Sequence, residues 1–295
     1  MNDKILKFLA ISNSGGGSSS QPNIQELNIT QNGTYEAQGN VDGYNPVIVN
    51  VSGGEPEPPD DGKTRLYITV PANSMPGLPP PRNEVPLYIQ QYVDNGVTID
   101  WGDGSDPEIM PGIGNVNTTH TYQTAGDFVI SLDPAEGCDL GLGYGGYLYC
   151  VMGPISNNER VYCTMLQRAV IGSRGSRGIT RIRNYSFQYC YSLASMTIPD
   201  GVTSIGDRAF YYCYSLASMT IPDGVTSIGA RAFQYCYGVK EYHLLATTPP
   251  SLSNVSAFEG IPSDCIIYVP VGSLEAYQTA TNWSTYADQM REEGT

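Results

Sequence analysis

The chain has 295 residues, enough for two or more domains, and only 15% of them are charged. Glycine (33), tyrosine (22) and proline (21) are abundant, which is typical of β-rich, turn-rich proteins rather than of helical enzymes. The formal net charge of -14 is uneven: residues 1–150 hold 5 Lys/Arg against 18 Asp/Glu, and residues 151–295 hold 10 against 11. This acidic balance disfavours binding to nucleic acid or to anionic lipid.

The N-terminal segment, residues 1–20, contains a short amphipathic piece followed by a Gly/Ser linker. Lys7 interrupts its apolar run, so the pattern predicts no signal peptide, and no segment is apolar over the length of a membrane span. If the chain begins at residue 1, we expect that it does not leave its cell by the ordinary secretory route. The segment could be a docking peptide for a larger assembly or a disordered terminus.

Short alternating apolar runs predict a small β module over residues 21–53. The expected strands are residues 27–30, 34–35 and 47–51, with a turn at Asn32-Gly33. Residues 29–35, 41–44 and 49–51 resemble a short module found in bacteriophage tail-associated proteins and in surface proteins of gut bacteria. The resemblance implies that the N-terminal region contacts other virion proteins. Residues 54–63, rich in proline and acidic residues, predict a stiff linker.

Residues 64–134 predict a β-sandwich of short strands. The expected strands are residues 65–70, 87–92, 97–101 and 128–132. Trp101-Gly-Asp-Gly104 and His120-Thr-Tyr122 resemble the PKD family, an immunoglobulin-like β-sandwich. On physical grounds the two glycines permit a positive-φ turn, Asp103 hydrogen-bonds within it and Trp101 fills the core. Asp100, Asp103 and Asp106 could supply oxygen ligands to Ca²⁺, but their spacing is not that of an EF-hand, so we predict no metal site.

Residues 135–160 are rich in glycine and tyrosine and predict a connector. Gly141-Leu-Gly-Tyr-Gly-Gly146 lacks the strand–loop–helix context and the Lys-Ser/Thr of a phosphate-binding loop.

Enzymatic motifs are also missing elsewhere in the sequence. The chain has 2 histidines, and it contains no serine nucleophile elbow, HExxH or CxxC. His243 is expected at an outward strand position near Lys240 and Glu241. We therefore predict neither an enzyme nor a bound cofactor.

A 23-residue repeat organises residues 161–248. Residues 192–206 return, residue for residue, as residues 215–229. A fixed period of this size predicts a solenoid, in which no repeat can bury its apolar face alone. The cysteines at the head of each repeat (Cys163, Cys190, Cys213 and Cys236) are expected to be reduced, buried core residues. Cys138, Cys150 and Cys265 follow no ligand spacing.

The full repeat pattern, C-x-x-L-x-x-M-x-I-P-x-G-V-T-x-I-G-x-x-A-F, resembles the BspA-type leucine-rich-repeat family. The resemblance extends through residues 249–295, which look like the family's C-terminal cap. Ser273 is expected to N-cap a helix ending near Thr281. The predicted fold is therefore mainly β and multi-domain: a β module, a PKD-like sandwich, and a leucine-rich-repeat solenoid with a helical cap. The resemblance implies a surface adhesin or binding protein without catalytic residues.

Two rows of tyrosines flank the cysteines at the 23-residue period. They are Tyr189, Tyr212 and Tyr235 in one row, and Tyr191, Tyr214 and Tyr237 in the other. If the cysteines point inward, both rows are expected to point outward. They then form an aromatic strip that stacks on sugar rings or packs against a protein, or that merely stabilises neighbouring repeats.

A basic run is a secondary candidate site: Arg174, Arg177, Arg181 and Arg183, with Arg168 nearby. It could bind a phosphate or an acidic glycan, or it could be a solvated edge of the first repeat facing the acidic sandwich.

These patterns favour a non-catalytic modular binding protein. The first hypothesis is a bacteriophage tail or fibre-associated protein whose solenoid recognises a bacterial surface glycan or protein. The alternatives are a bacterial cell-surface adhesin of the BspA type and a structural virion spacer without its own receptor. An enzyme acting on glycans is the least favoured.

Overall fold

The computed structural model describes residues 26–29, 35–38, 61–72, 83–144, 149–154, 162–174 and 177–294. The chain divides into two compact units, residues 1–59 and residues 60–295. In the first unit, β1 (Glu26–Ile29) pairs antiparallel with β2 (Tyr35–Gln38), close to the first two expected strands. The turn at Asn32-Gly33 and the strand expected at residues 47–51 lie outside the described residues.

The second unit begins with a sandwich of two antiparallel sheets. Its strands are β3 (Thr64–Val70), β4 (Glu84–Gln91), β5 (Val97–Asp100), β6 (Glu108–Met110), β7 (Gly114–Thr121), β8 (Gly126–Pro134) and β9 (Gly141–Leu142). One sheet contains β3-β8-β5-β6 and the other contains β7-β4-β9. Alternate residues of β3 and β4, such as Leu66 and Leu87, are buried in one apolar core, as the two-residue period of a strand requires.

Sequence patterns missed β6 and β7. β7 is largely polar, and its residues alternate only between half-buried and exposed, so no apolar alternation marks it as a strand. The predicted connector also contains more structure than expected. Its β9 pairs with β4, and β10 (Tyr149–Cys150) pairs with β11 (Gly153–Pro154). Leu140, Val151 and Met152 are buried in the common core.

The solenoid consists of short strands. In chain order they are β12 (Leu166–Val170), β13 (Ser173–Arg174), β14 (Arg177–Gly178), β15 (Arg181–Ile182), β16 (Ser195–Thr197), β17 (Ser204–Ile205), β18 (Ser218–Ile221), β19 (Ser227–Ile228), β20 (Glu241–Leu244), β21 (Ser251–Leu252), β22 (Ile266–Val269) and β23 (Met290–Glu292). One parallel ladder runs through β15, β17, β19 and β21, and another through β18, β20, β22 and β23. β13 and β14 form a short hairpin inside the first repeat.

Stacked identical residues fill the solenoid core. The rings of Phe187, Phe210 and Phe233 stack at 5.4 and 5.0 Å, and Phe258 extends the stack at 5.1 Å. The four cysteines of the repeat row are fully buried and are not joined in disulfides, as the sequence predicted. Because each repeat supplies one side chain to each row, only stacking of neighbours buries them.

The solenoid and the sandwich share one sheet, in the order β16-β12-β3-β8-β5-β6. β12 pairs antiparallel with β3, with Ala169 opposite Leu66 and a register shift between Leu166 and Arg168. This pairing covers the exposed edge of the first solenoid strand, and the two cores are continuous. The domain boundaries drawn from the sequence remain a prediction, but the sandwich and the solenoid belong to a single compact unit.

The last residues close the far end of the core. Trp283 is buried and its Nε1 donates to the Pro250 carbonyl at 2.7 Å, while the Tyr277 hydroxyl donates to the Ala246 carbonyl at 2.7 Å. The expected helix, α1 (Leu274–Thr279), is present, with a 3-10 helix at Trp283–Gln289 after it. Ser273 occupies the N-cap position, and its carbonyl accepts from the Tyr277 amide at 3.1 Å. Its backbone is αR and its side chain makes no capping hydrogen bond, so the predicted side-chain cap is wrong. No helix in the described part of the chain has the length and apolarity needed to cross a membrane.

Candidate functional site

The six tyrosines singled out from the sequence lie together in the turns of three successive repeats. In the inner row (Tyr189, Tyr212 and Tyr235) the rings stack at 5.4 and 4.9 Å. In the outer row (Tyr191, Tyr214 and Tyr237) they stack at 5.1 and 5.4 Å. Tyr212 and Tyr214 also meet edge to face at 5.4 Å, so the two rows form one aromatic ribbon.

The two rows differ in exposure. Tyr189 is only 9% exposed, and Tyr212 and Tyr235 are half-buried. In the outer row Tyr191 is half-buried, whereas Tyr214 and Tyr237 are 40% and 53% exposed. The inner-row residues have positive φ angles (63°, 64° and 63°), a left-handed conformation that aims their side chains differently from those of ordinary strand neighbours. Exposure is therefore concentrated in Tyr214 and Tyr237 rather than shared equally by the six tyrosines.

The ring planes of the outer row limit what that surface can do. Neighbouring rings are inclined by only 28° and 19°, so the facing sides of neighbouring rings are turned toward each other. The ribbon consequently offers ring edges and hydroxyls at a spacing of about 5 Å rather than a continuous plane for stacking on sugars. Burial, and then the neighbouring tyrosines, raise the pKa of Tyr214, so its hydroxyl stays protonated at neutral pH and can donate a hydrogen bond.

Tyr211 belongs to the ribbon but was not singled out from the sequence. Its ring lies 4.3 Å from that of Tyr212 and 5.8 Å from that of Tyr235. Burial, and to a smaller extent the neighbouring Tyr212, raises the pKa of the Tyr211 hydroxyl. The available signal was that Tyr211 replaces a glutamine found at this place in the neighbouring repeats, at Gln188 and Gln234.

One arginine of the basic run, Arg183, is engaged in internal contacts. Arg183 donates from Nη2 to the Asp139 carboxylate at 3.1 Å, and its guanidinium carbon lies 5.2 Å from the centre of the Tyr92 ring. Arg183 therefore serves an internal contact between the first repeat and the preceding segments. Arg181 is exposed, and the backbones of Arg174 and Arg177 pair in the β13–β14 hairpin. A ligand for these three arginines remains a prediction.

His120 has a structural environment. Its ring stacks on Trp101 at 4.7 Å, and its Nε2 lies 2.7 Å from the Asp103 carboxylate. Burial raises the pKa of Asp103, but hydrogen bonds from Ser105 and His120 outweigh it and lower this pKa to about 2. Asp100 also accepts from a backbone amide, that of Gly102, at 2.9 Å. Two of the three aspartates considered for calcium thus serve the turn, as predicted for Asp103.

His243 lies outward on β20, as expected, within a small polar cluster. Its Nδ1 is 2.7 Å from a Glu293 carboxylate oxygen, its Nε2 is 3.4 Å from Glu241, and its ring stacks on Tyr268 at 5.0 Å. Within the described residues no group of three or more His, Cys, Asp or Glu side chains has an arrangement that could hold a metal ion.

The repeats match a known family. Residues 162–267 match the family described as BspA type Leucine rich repeat region, in 6 copies. The match continues past residue 248, into the segment expected to be the cap, in agreement with the continued ring stack at Phe258. No curated protein matches the chain. No catalytic family is indicated, and repeats of this type are typical of proteins that bind at surfaces.

Two solved structures are similar to part of the chain. One is a leucine-rich repeat protein from Bacteroides ovatus, with 26% identity and a TM-score of 0.33, covering 45% of this chain and 31% of that chain. The other is the pneumococcal vaccine antigen PcpA, with 15% identity and a TM-score of 0.30, covering 43% of this chain and 34% of that chain. The chain thus spans about a third of the length of either protein.

Proposed function

We propose that this chain is a non-catalytic binding protein whose BspA-type repeats contact a bacterial surface ligand through the outer tyrosine row, Tyr191, Tyr214 and Tyr237. The observation that carries the proposal is the exposure of this row. Tyr214 and Tyr237 remain 40% and 53% exposed although the phenylalanine and cysteine rows already fill the core. Aromatic residues with polar tips are enriched at binding surfaces because they combine apolar area with a hydrogen-bonding group.

The ring geometry favours one kind of contact. A glycan can stack on an aromatic ring only through an open face, and the neighbouring rings of this row face each other. The row therefore suits a partner that accepts hydrogen bonds from a line of phenol hydroxyls and packs against ring edges. A surface protein, or the hydroxyls of a glycan chain, satisfies that description.

For the location of the protein, the first candidate is a bacteriophage tail or fibre. The support is the likeness of residues 29–35, 41–44 and 49–51 to a module of tail-associated proteins. In this arrangement the N-terminal region contacts other virion proteins, and the PKD-like sandwich holds the solenoid away from the particle. The alternative is a bacterial cell-surface adhesin, which the match to BspA-type repeats favours. A structural virion spacer without its own receptor is the third candidate.

A binding experiment on the full chain tests the role of the tyrosines. The triple variant Tyr191→Ser, Tyr214→Ser, Tyr237→Ser is compared with the unmodified chain for binding to candidate bacterial cells. We expect at least a tenfold loss of affinity with the circular dichroism spectrum retained. The matched control is His243→Ser with Tyr268→Ser, which removes a stacked pair from β20 and β22. Loss of binding in the control alone would move the site to those strands and contradict the proposal.

A second experiment separates the candidate locations. Antibodies against the chain are used to label purified phage particles and intact bacteria. Labelling of particle tails supports the virion, and labelling of uninfected cells supports the adhesin. Particles that carry the protein while the purified chain binds no cell leave only the spacer.

A further inference from the structure

Cys150, in the segment that joins the sandwich to the solenoid, lies against Cys163, the first cysteine of the repeat row. Their Sγ atoms are 3.0 Å apart, and both side chains are fully buried. Cys150 ends β10, and Cys163 belongs to the 3-10 turn Tyr162–Thr164 that precedes β12. A disulfide has a sulfur–sulfur distance of about 2.05 Å, so an approach of about 1 Å brings these atoms to bonding distance.

The thiols of the inner repeats have a different kind of partner. Cys213 donates to the carbonyl of Phe187 at 3.3 Å, and Cys236 donates to the carbonyl of Phe210 at 3.2 Å. Each of these thiols therefore uses an acceptor in the preceding repeat. Cys163 heads the first repeat, where the preceding residues belong to the connector, and it faces the sulfur of Cys150.

The backbone beside Cys150 is held on two sides. The Val151 amide donates to the Ser186 carbonyl at 2.9 Å, and the Tyr88 amide donates to the Val151 carbonyl at 2.9 Å. The segment is thereby tied to the first repeat through Ser186 and to the sandwich through Tyr88. Folding thus brings the two thiols together before any covalent bond exists, so bond formation needs little further loss of chain entropy.

We propose that Cys150 and Cys163 form a disulfide when the protein folds in an oxidising thiol–disulfide pool of the glutathione class, while the two thiols are still accessible, since both are buried once folding is complete. One cysteine thiolate attacks the external disulfide, which gives a mixed disulfide and releases one small thiol. The second cysteine then displaces the other small thiol. One sulfur–sulfur bond forms in the protein, the external disulfide is reduced to two thiols, and these carry the two protons that the cysteines lose. The bond links the connector to the first repeat.

Cys190 is the competing partner, because its thiol is within hydrogen-bonding reach of Cys150. Cys190 also lies within hydrogen-bonding reach of Cys163, but both belong to the repeat row, and side chains stacked in one row point in the same direction, which disfavours a bond between them. Cys150 approaches from outside the row. The cross-link is therefore assigned to Cys150 and Cys163, and it does not depend on whether the solenoid binds a ligand.

The test uses the full chain, refolded from denaturant in a buffer of oxidised and reduced glutathione. The protein is then alkylated under denaturing conditions, digested and analysed by mass spectrometry. We expect two of the seven cysteines to escape alkylation and the peptides that carry Cys150 and Cys163 to be linked. Cys150→Ser and Cys163→Ser should each abolish the link, whereas the control Cys265→Ser, at another buried cysteine, should retain it.

Thermal unfolding supplies a readout that is independent of the mapping. A reductant should lower the melting temperature of the oxidised chain and leave that of Cys163→Ser unchanged. Seven alkylated cysteines after oxidative refolding, or a link that maps to Cys190, would overturn the proposal. A reductant effect of equal size in Cys163→Ser would overturn it as well.

Discussion

Arg168 in β12 pairs in register with Tyr67 in β3, and its guanidinium carbon lies 4.8 Å from the centre of the Tyr67 ring. Close by, the Thr69 amide donates to the Met165 carbonyl at 2.9 Å. These contacts attach the first solenoid strand to the sandwich. The sandwich thereby acts as an N-terminal cap, which a solenoid requires because its end repeats otherwise expose apolar surface and strand edges.

A fragment that begins at residue 161 should therefore be much less stable than a fragment of residues 60–295. The shorter fragment exposes the edge of β12 and the apolar surface that the sandwich covers. We expect its melting temperature to be lower by more than about 10 °C, since each kcal/mol lost shifts it by about 2–4 °C in a chain of this size. Circular dichroism measures the difference, and size-exclusion chromatography detects self-association. Two monomeric fragments with equal melting temperatures would contradict the capping role.

At the inner-row position Tyr212, alanine should destabilise the fold more than glycine does, which reverses the usual order. Tyr212 has a φ of 64° and stacks between Tyr189 and Tyr235. Tyr212→Ala should lower the free energy of unfolding by about 2–4 kcal/mol, because it removes both stacked contacts and keeps the strained backbone. Tyr212→Gly should be less harmful by about 1 kcal/mol, since glycine adopts positive φ without strain.

Tyr214 is the matched control for that order. It is also stacked on both sides but is not among the positive-φ residues. At this position glycine should be worse than alanine, as at ordinary backbone positions. Urea denaturation of the four variants measures both orders. The same order at the two positions would show that backbone conformation does not decide the effect.

Sequence periodicity predicted the parts of this fold that depend on neighbouring repeats. The burial of Cys213 and the stack of Phe210 follow from the 23-residue period alone, because equivalent residues of a solenoid share one environment. The period also placed the six tyrosines together. It could not separate the inner row from the outer row, because that difference depends on left-handed backbone angles at residues such as Tyr189.

Contacts between distant segments could not be read from the sequence. The pairing of β3 with β12 joins strands about a hundred residues apart, and no local pattern specifies which strand edge meets which. From the sequence, Arg183 was a candidate for a basic surface site. In the structure, Asp139 and Tyr92 lie beside it. The contact between the Cys150 and Cys163 sulfur atoms could not be predicted from a local sequence pattern either.

Gly141 should resist substitution because Arg183 lies directly over it. A Cβ at residue 141 would overlap the Nε and Cδ atoms of Arg183. Gly141→Ala should therefore lower the free energy of unfolding by about 1–3 kcal/mol. In an Arg183→Ala background the same change should cost less than about 1 kcal/mol, because the overlapping atoms are gone. A double-mutant cycle by urea denaturation measures the coupling, and equal costs in the two backgrounds would rule it out.

Asp103 should make the sandwich sensitive to acid. Its pKa is lowered to about 2 in the folded chain by hydrogen bonds from Ser105 and His120 that outweigh burial, whereas an unfolded aspartate has a pKa of about 3.9. A lowered folded-state pKa stabilises the fold above the unfolded value. That stabilisation is lost as the pH falls from about 4 to about 2.

The variant Asp103→Asn tests this pH dependence. It should be less stable than the unmodified chain at pH 7 and should lose less stability between about pH 4 and pH 2. Urea denaturation at a series of pH values gives both curves. Parallel curves for the two proteins would mean that another group titrates.

The sheet shared by β3 and β12 also determines how the protein carries load. If a cell pulls on the solenoid while the N-terminal region is anchored, the force passes from β12 to β3 through paired backbone hydrogen bonds. A flexible tether would stretch under such a pull, whereas this junction stays stiff until the strands separate. Single-molecule force measurements should therefore show the sandwich and the solenoid rupturing as one unit.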